Sequence, residues 1–277
     1  MKSPTISAPR SSGRRRWPDM GRALLKVLDR GAPLFASLLL LLIWELGCRL
    51  FQVPAYLLPT PSAIVQGALA VSLESWLGHI WATLRVSLQG YALAVAIGIP
   101  LAVALANSRL LSRTRYPQLV IIQSTPIVAV APIIVVVLGA GDAPRVVITF
   151  LITFFPIVVS TVTGLLATPP AMLELSRSLG ASRLREVKNI QLPFAVPYIF
   201  SALRISVTLA IIGAVVAEFV AAEDGLGFFI AFSTSFFKVP QAFAALGVLV
   251  TLSLALFQLV SLTQRLLFPW SLPDAEK

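Results

Sequence analysis

Apolar residues in this chain fall in long unbroken runs, not in the spaced stripes of a water-facing helix. A helix needs ~20 consecutive apolar residues to cross a bilayer. Six segments approach that length: residues 34–51, 86–106, 119–138, 146–166, 199–220 and 243–262. Between the first two, "VPAYLLPTPSAIVQGALAVSLESW" is too interrupted to cross. Pro59 and Pro61 prevent a continuous helix there, and Ser62 is placed to cap a short one starting at Ala63. That piece is expected to lie at the membrane surface. "EDGLGFF", residues 223–229, marks a glycine-rich turn after the fifth span. The expected fold is all-α, a polytopic membrane protein with six transmembrane helices.

Composition agrees with that pattern. Of 277 residues, 57% are hydrophobic and 12% charged, whereas a soluble domain carries about 25% charged residues. The net charge is +10. In a soluble protein this would suggest nucleic acid, but no basic-aromatic interleaving is present, so the expected partner is the lipid bilayer. The basic residues gather between spans, where they set orientation. With the N-terminus inside, the inner segments hold the basic residues of positions 1–33 and Arg109, Arg113, Arg115, Arg177, Arg183, Arg185, Lys188, Arg265 and Lys277. Arg204 lies close to the same side. Arg49, Arg85, Arg145 and Lys238 remain outside. Both termini are therefore expected in the cytoplasm. The chain divides into a basic tail (1–33, disordered over its Pro- and Ser-rich first eighteen positions), a membrane domain (34–264) and a short C-terminal tail (265–277). "PLFASLLLLLIW" resembles the apolar core of a signal peptide, but it lies deep in the chain and no small-residue cleavage site follows.

Catalytic chemistry finds little material. Cys48 is the one cysteine and His79 the one histidine. They supply no zinc-protease site, no Ser-His-Asp triad and no metal cluster, so no enzyme activity, metal or cofactor is expected in this chain. His79, between Trp76 and Trp81, reads as a surface histidine in an interfacial aromatic girdle.

One segment breaks the apolar pattern. "ELSRSLGASRLREVKNIQLP", residues 174–193, carries two acidic and four basic residues between the fourth and fifth spans. Thr168 reads as an N-cap with Pro169 at the first helical position. Gly180 fits the left-handed position just past a short helix. Ser182 caps a second short helix, which Leu192-Pro193 is expected to end. The loop, residues 167–197, is thus a charged helix–turn–helix on the cytoplasmic side, longer than a plain connection of about 4–6 residues.

Here the residues carry a resemblance. Permeases of bacterial ABC importers share a cytoplasmic coupling loop, the EAA motif: Glu-Ala-Ala, three residues, Gly, nine residues, Ile, one residue, Leu-Pro. This chain has Glu174-Leu175-Ser176, Gly180, Ile190 and Leu192-Pro193 at those spacings, departing at Leu175-Ser176. "LPTPSAIV", "TPIVAVAPIIVVVLGAG", "SLGASRLREVKNIQLP" and "AVVAEFVAAEDGLGFFI" look like the nitrate/sulfonate/taurine branch, which also includes permeases for thiamine-precursor pyrimidines and riboflavin. The resemblance implies an inner-membrane permease forming the path for a small solute. Its implied partners are a second copy of itself, a cytoplasmic ATP-binding subunit and an external substrate-binding protein. Glu174, Leu175, Ser176, Gly180, Ala181, Ser182, Arg183, Leu192 and Pro193 would couple to the ATPase. ATP would sit in that partner, since this chain has no GxxxxGK[ST] sequence.

Polar residues within spans are costly and mark cavities or helix contacts. Gln123, Thr125 and Pro126 in the third span, with Thr208 and Glu218 in the fifth, are the candidates for the translocation path. Glu45 reads as structural. The rival function is an ion-coupled secondary transporter, whose two similar halves with broken spans are not apparent here.

Overall fold

The computed structural model describes residues 19–108, 121 and 125–272, and its regular elements are helical throughout. The expectations for the first eighteen positions, for Arg109, Arg113 and Arg115, and for Gln123 fall outside these residues. The helices are α1 (Asp19–Leu50), α2 (Pro61–Leu69), α3 (Leu73–Asn107), α4 (Ile127–Leu138), α5 (Asp142–Leu166), α6 (Pro170–Ser178), α7 (Arg183–Glu186), α8 (Leu192–Ala221), α9 (Leu226–Ser235) and α10 (Val239–Leu267). A π turn, Val187–Gln191, joins α7 to α8.

The chain forms two units, residues 1–53 and 54–277. In the first, α1 runs for 32 residues and starts at Asp19, so the helix includes part of the stretch read as tail. The side chains from Leu38 to Ile43 are exposed, as lipid-facing residues would be. Glu45 accepts from Arg49 Nε, one turn on, at 2.6 Å.

In the second unit, α5 packs along both α3 and α8. Small residues set that closeness, because apolar helices in lipid gain little by burying more apolar area. Thr149 of α5 meets glycine on both sides. A Cβ built on Gly90 of α3 would lie 2.6 Å from the Thr149 side chain, and one on Gly213 of α8 would lie 3.0 Å from its Cα. The Thr149 hydroxyl is spent on its own helix, donating to Arg145 O at 2.9 Å. Ala94, Ala102, Phe154, Ile157 and Val158 fill the α3–α5 contact. Val207, Ile211, Leu226, Phe229 and Leu249 join α8, α9 and α10.

Four helices among the described residues are long and apolar enough to cross a membrane: α3, α5, the continuous helix Arg183–Ala221 and α10. The third expected span departs from one uninterrupted helix. The chain is non-helical at Thr125 and Pro126, and Pro126 precedes α4 with extended backbone (φ −68°, ψ 100°). Proline lacks the N–H that would continue a helix and drives the residue before it out of helical geometry. On the far side of Pro126, α4 has 12 residues. That is short of the ~20 a crossing needs.

The surface helix also starts differently. Thr60, not Ser62, caps α2: its Oγ1 accepts from Ala63 N at 3.2 Å, and Pro61 takes the first position. Trp76 Nε1 then donates to Ala68 O at 3.0 Å and ties α2 to α3.

The glycine contacts yield a stability prediction. Gly90→Val forces α3 off Thr149, and overpacking of this kind costs ~1–3 kcal/mol. Gly247→Val on α10 meets open space and serves as control. The thermal unfolding midpoint in detergent is expected to fall for Gly90→Val alone; equal midpoints would contradict the packing.

Candidate functional site

The charged loop begins one residue later than its sequence suggests. Pro170, not Pro169, opens α6, with Pro169 as the cap residue in extended geometry. Thr168 therefore caps nothing: its side chain is buried and its Oγ1 has no hydrogen-bond partner. The other end of α6 follows expectation. Gly180 has φ +75°, Ala181 N donates to Ser176 O at 3.0 Å, and Gly180 N donates to Arg177 O at 3.0 Å. This paired closure is a Schellman motif, and it needs the left-handed residue that glycine supplies. Ser182 Oγ then accepts from Arg185 N at 3.4 Å and starts α7.

Leu192-Pro193 does not end that second helix. The chain winds through the π turn straight into α8, making one rod from Arg183 to Ala221. A proline within an α-helix clashes with the carbonyl four residues back. Pro193 sits instead in the first turn of α8, directly after the wider i→i+5 winding of residues 187–191, which takes the place of a break.

The loop residues proposed from sequence fall into two groups. Glu174, Leu175, Gly180, Ser182 and Arg183 are exposed, with Ser176 buried and Ala181 half-buried behind them. Leu192 and Pro193 stand apart, at the base of α8. Met172, Leu175, Leu179, Ala181 and Ile190 line an apolar groove of about 360 Å³. Leu179 is 78% and Leu184 77% exposed, an apolar surface on the loop's outer side.

An ion pair that sequence reading missed joins α6 to α7. Arg177 Nε and Nη2 of α6 donate to Glu186 Oε2 and Oε1 of α7, each at 3.0 Å. Glu186 is 1% exposed. Hydrogen bonding to Glu186, then its charge, raises the Arg177 guanidinium further above its ordinary value. Opposite charges either side of a left-handed glycine were the available signal.

At the opposite end of α5 and α8 lies a second polar cluster. Here α9, only 10 residues long, begins inside the bundle, and its first amides need partners. Three side chains meet them. Gly225 N donates to His79 Nδ1 (3.3 Å), Leu226 N to Thr83 Oγ1 (2.8 Å) and Gly227 N to Glu218 Oε2 (2.6 Å). Thr83 in turn donates to Glu218 Oε1 at 2.8 Å. His79 is thus no plain surface residue: its ring also packs on Phe229 at 5.1 Å. Thr83 and His79 lie more than a hundred residues from their partners, beyond any local pattern.

Beside this cap, Arg145 is 6% exposed and bonds Asp142, Asp224 Oδ1 (2.7 Å) and Gly141 O (3.2 Å). Arg85 of α3 shares Asp142. Arg85 and Arg145, both assigned to the outer side from sequence, are therefore ion-paired. Arg145, Glu218, Phe219, Glu223, Asp224 and Phe228 help line a cleft of about 590 Å³.

The remaining path candidates are not gathered there. Thr125 is exposed and lines a shallow groove of about 280 Å³ with Leu151, Phe155, Leu209 and Ile212. Pro126 is exposed, and Thr208 is half-buried on α8.

The chain belongs to the family of binding-protein-dependent transport system inner membrane components, which residues 94–270 match. It is 37% identical over 263 residues to the riboflavin transport system permease protein RibX of Chloroflexus aurantiacus, covering 94% of each chain. It is 35% identical over 238 residues to the formylaminopyrimidine transport permease protein ThiX of Halalkalibacterium halodurans, covering 86% of this chain and 95% of that one. Its fold resembles a chain of the inward-facing MetNI methionine ABC transporter, with a TM-score of 0.60 and 24% identity over 70% of this chain and 98% of that one. The chain is a multi-pass membrane permease of an ATP-driven importer, as its resemblance implied, and its family works with an ATP-binding subunit and a substrate-binding protein.

The α9 cap predicts where this end of the bundle is brittle. Gly225 has φ +104° and ψ 164°, and a Cβ there would overlap the Glu218 carboxyl group. Backbone in that region costs a non-glycine residue of order 1–3 kcal/mol. Glu218→Gln keeps the shape but turns an NH2 toward one of two donors, a loss of ~1–3 kcal/mol. Both Gly225→Ala and Glu218→Gln are expected to lower the thermal midpoint in detergent; parent-like midpoints would remove the capping role.

Proposed function

We propose that this permease imports a small heterocyclic solute of the riboflavin or formylaminopyrimidine kind. The observation that carries this reading is the 37% identity to a riboflavin permease across 94% of both chains. Charge supports it. The cleft at the far end of α8 sets Glu218, Glu223 and Asp224 against Arg145 alone, a field unfavourable to sulfonate or nitrate.

In this reading an external binding protein delivers the solute to that end. Thr125, Pro126, Thr208 and Glu218, with Gln123, border the path. Two copies of the chain face each other across it. Both termini and the α6–α7 loop are cytoplasmic, as the distribution of basic residues supports. The apolar groove between Met172 and Ile190 receives a surface of the ATP-binding subunit, with Glu174, Arg183 and their neighbours at its rim. This chain carries no cofactor and catalyses no reaction; ATP is bound and hydrolysed by the partner.

Uptake decides the matter. Cells expressing this chain with its co-encoded ATP-binding and binding-protein partners should take up labelled riboflavin or formylaminopyrimidine, but not taurine, and only while ATP is available. In the same cells, Ser182→Cys on a Cys48→Ser background should resist an impermeant maleimide added outside. Uptake of taurine alone would overturn the solute class, and labelling of Ser182→Cys in intact cells would overturn the orientation.

A further inference from the structure

A docking loop can only move a span if something fixes its angle to that span. The turn between α6 and α7 is closed by the backbone hydrogen bonds of Gly180 and Ala181, and around Gly180 nothing but its chain neighbours comes within 4 Å of where a Cβ would be. Among the described residues, the two hydrogen bonds of the Arg177–Glu186 pair are the side-chain hydrogen bonds that join α6 to the rod beginning at Arg183. Its geometry is bidentate, two parallel bonds of 3.0 Å, so it resists rotation as well as separation. Glu186 is shielded while Arg177 is about half exposed, so the pair lies near the surface of the loop with its carboxylate covered by the guanidinium. Glu186 is also the last residue before the π turn, where the rod changes winding.

We propose that the Arg177–Glu186 pair is a strut: it makes α6 and α7 one rigid lever and passes the displacement of that lever into α8. Both are positioning residues, acting on α8 through the rod and touching no solute. The proposal rests on the reading that the loop docks the ATP-binding subunit. It adds that docking alone is insufficient, and that motion reaches the span through this pair.

The test uses the full chain assembled with its ATP-binding subunit in proteoliposomes, on a Cys48→Ser background. Val220→Cys, at the far end of α8, reports motion through its rate of maleimide labelling with and without ATP. Arg177→Met alone leaves Glu186 unpaired and risks misfolding. The deciding variant is therefore Arg177→Met with Glu186→Gln, which removes both charges together and leaves neither stranded. It should match the parent in membrane abundance, in retention of the ATP-binding subunit and in basal ATP hydrolysis. Its ATP-dependent change in labelling should shrink at least ~5-fold, the lower range of a coupling free energy. The charge exchange Arg177→Glu with Glu186→Arg should recover the change in part. A merely structural pair predicts the opposite: the neutral variant would respond to ATP like the parent. That result overturns the strut, as does a parent whose labelling ignores ATP, or loss of ATPase retention in the neutral variant. The docking reading is tested separately by Leu175→Glu in the exposed groove. Undiminished retention there would overturn docking, and the strut with it.

Discussion

A helix that stops inside an apolar bundle leaves amide hydrogens that water cannot reach. Each must find an acceptor, or the helix cannot stop there. In this permease α9 stops in that way, and a histidine, a threonine and a glutamate from two other helices answer its first three amides. Much of the surrounding architecture is a response to that demand. Glu218 must be buried, so its neighbours at 225 and 227 must lack side chains. Thr83 must donate to one partner and accept from another, so α3 and α8 are held at one separation. Arg145, beside the carboxylate, is itself neutralised by Asp142 and Asp224.

The opposite end is organised by different physics. Water is available there, so the loop can expose leucines and charges together. Its shape comes from local chemistry: a left-handed glycine, a serine cap and one bidentate ion pair. Between the ends, close contacts at Thr149 let α3, α5 and α8 approach as a unit. A rod running unbroken from Arg183 to Ala221 connects the loop to the α9 cap, because Glu218 lies on its last turn. One continuous helix thus links the loop to the cleft.

What was legible in the sequence was local. The loop's glycine and its serine cap depend on neighbours a few residues apart, and these read correctly. So did the membrane character, since long apolar runs admit few other fates. Pro193 misled because a proline normally ends a helix, and the π winding that accommodates it has no sequence signature as simple. Pro126 misled in the reverse sense, within an apolar run that read as one span. The partners of Glu218 and His79 lie 135 and 146 residues away, and only the fold brings them together. His79 looked like a girdle residue because its neighbours are tryptophans; its acceptor role appears only once α9 begins beside it.

In the proposed mechanism, α6 and α7 form the rigid surface through which the ATP-binding subunit moves this permease. Amide hydrogen exchange of the purified chain, alone and bound to that subunit, tests it most directly. Strong new protection is expected, confined to residues 171–186, with the α9 amides at 225–227 already protected in both states. Protection that appears elsewhere and leaves residues 171–186 unchanged would contradict it.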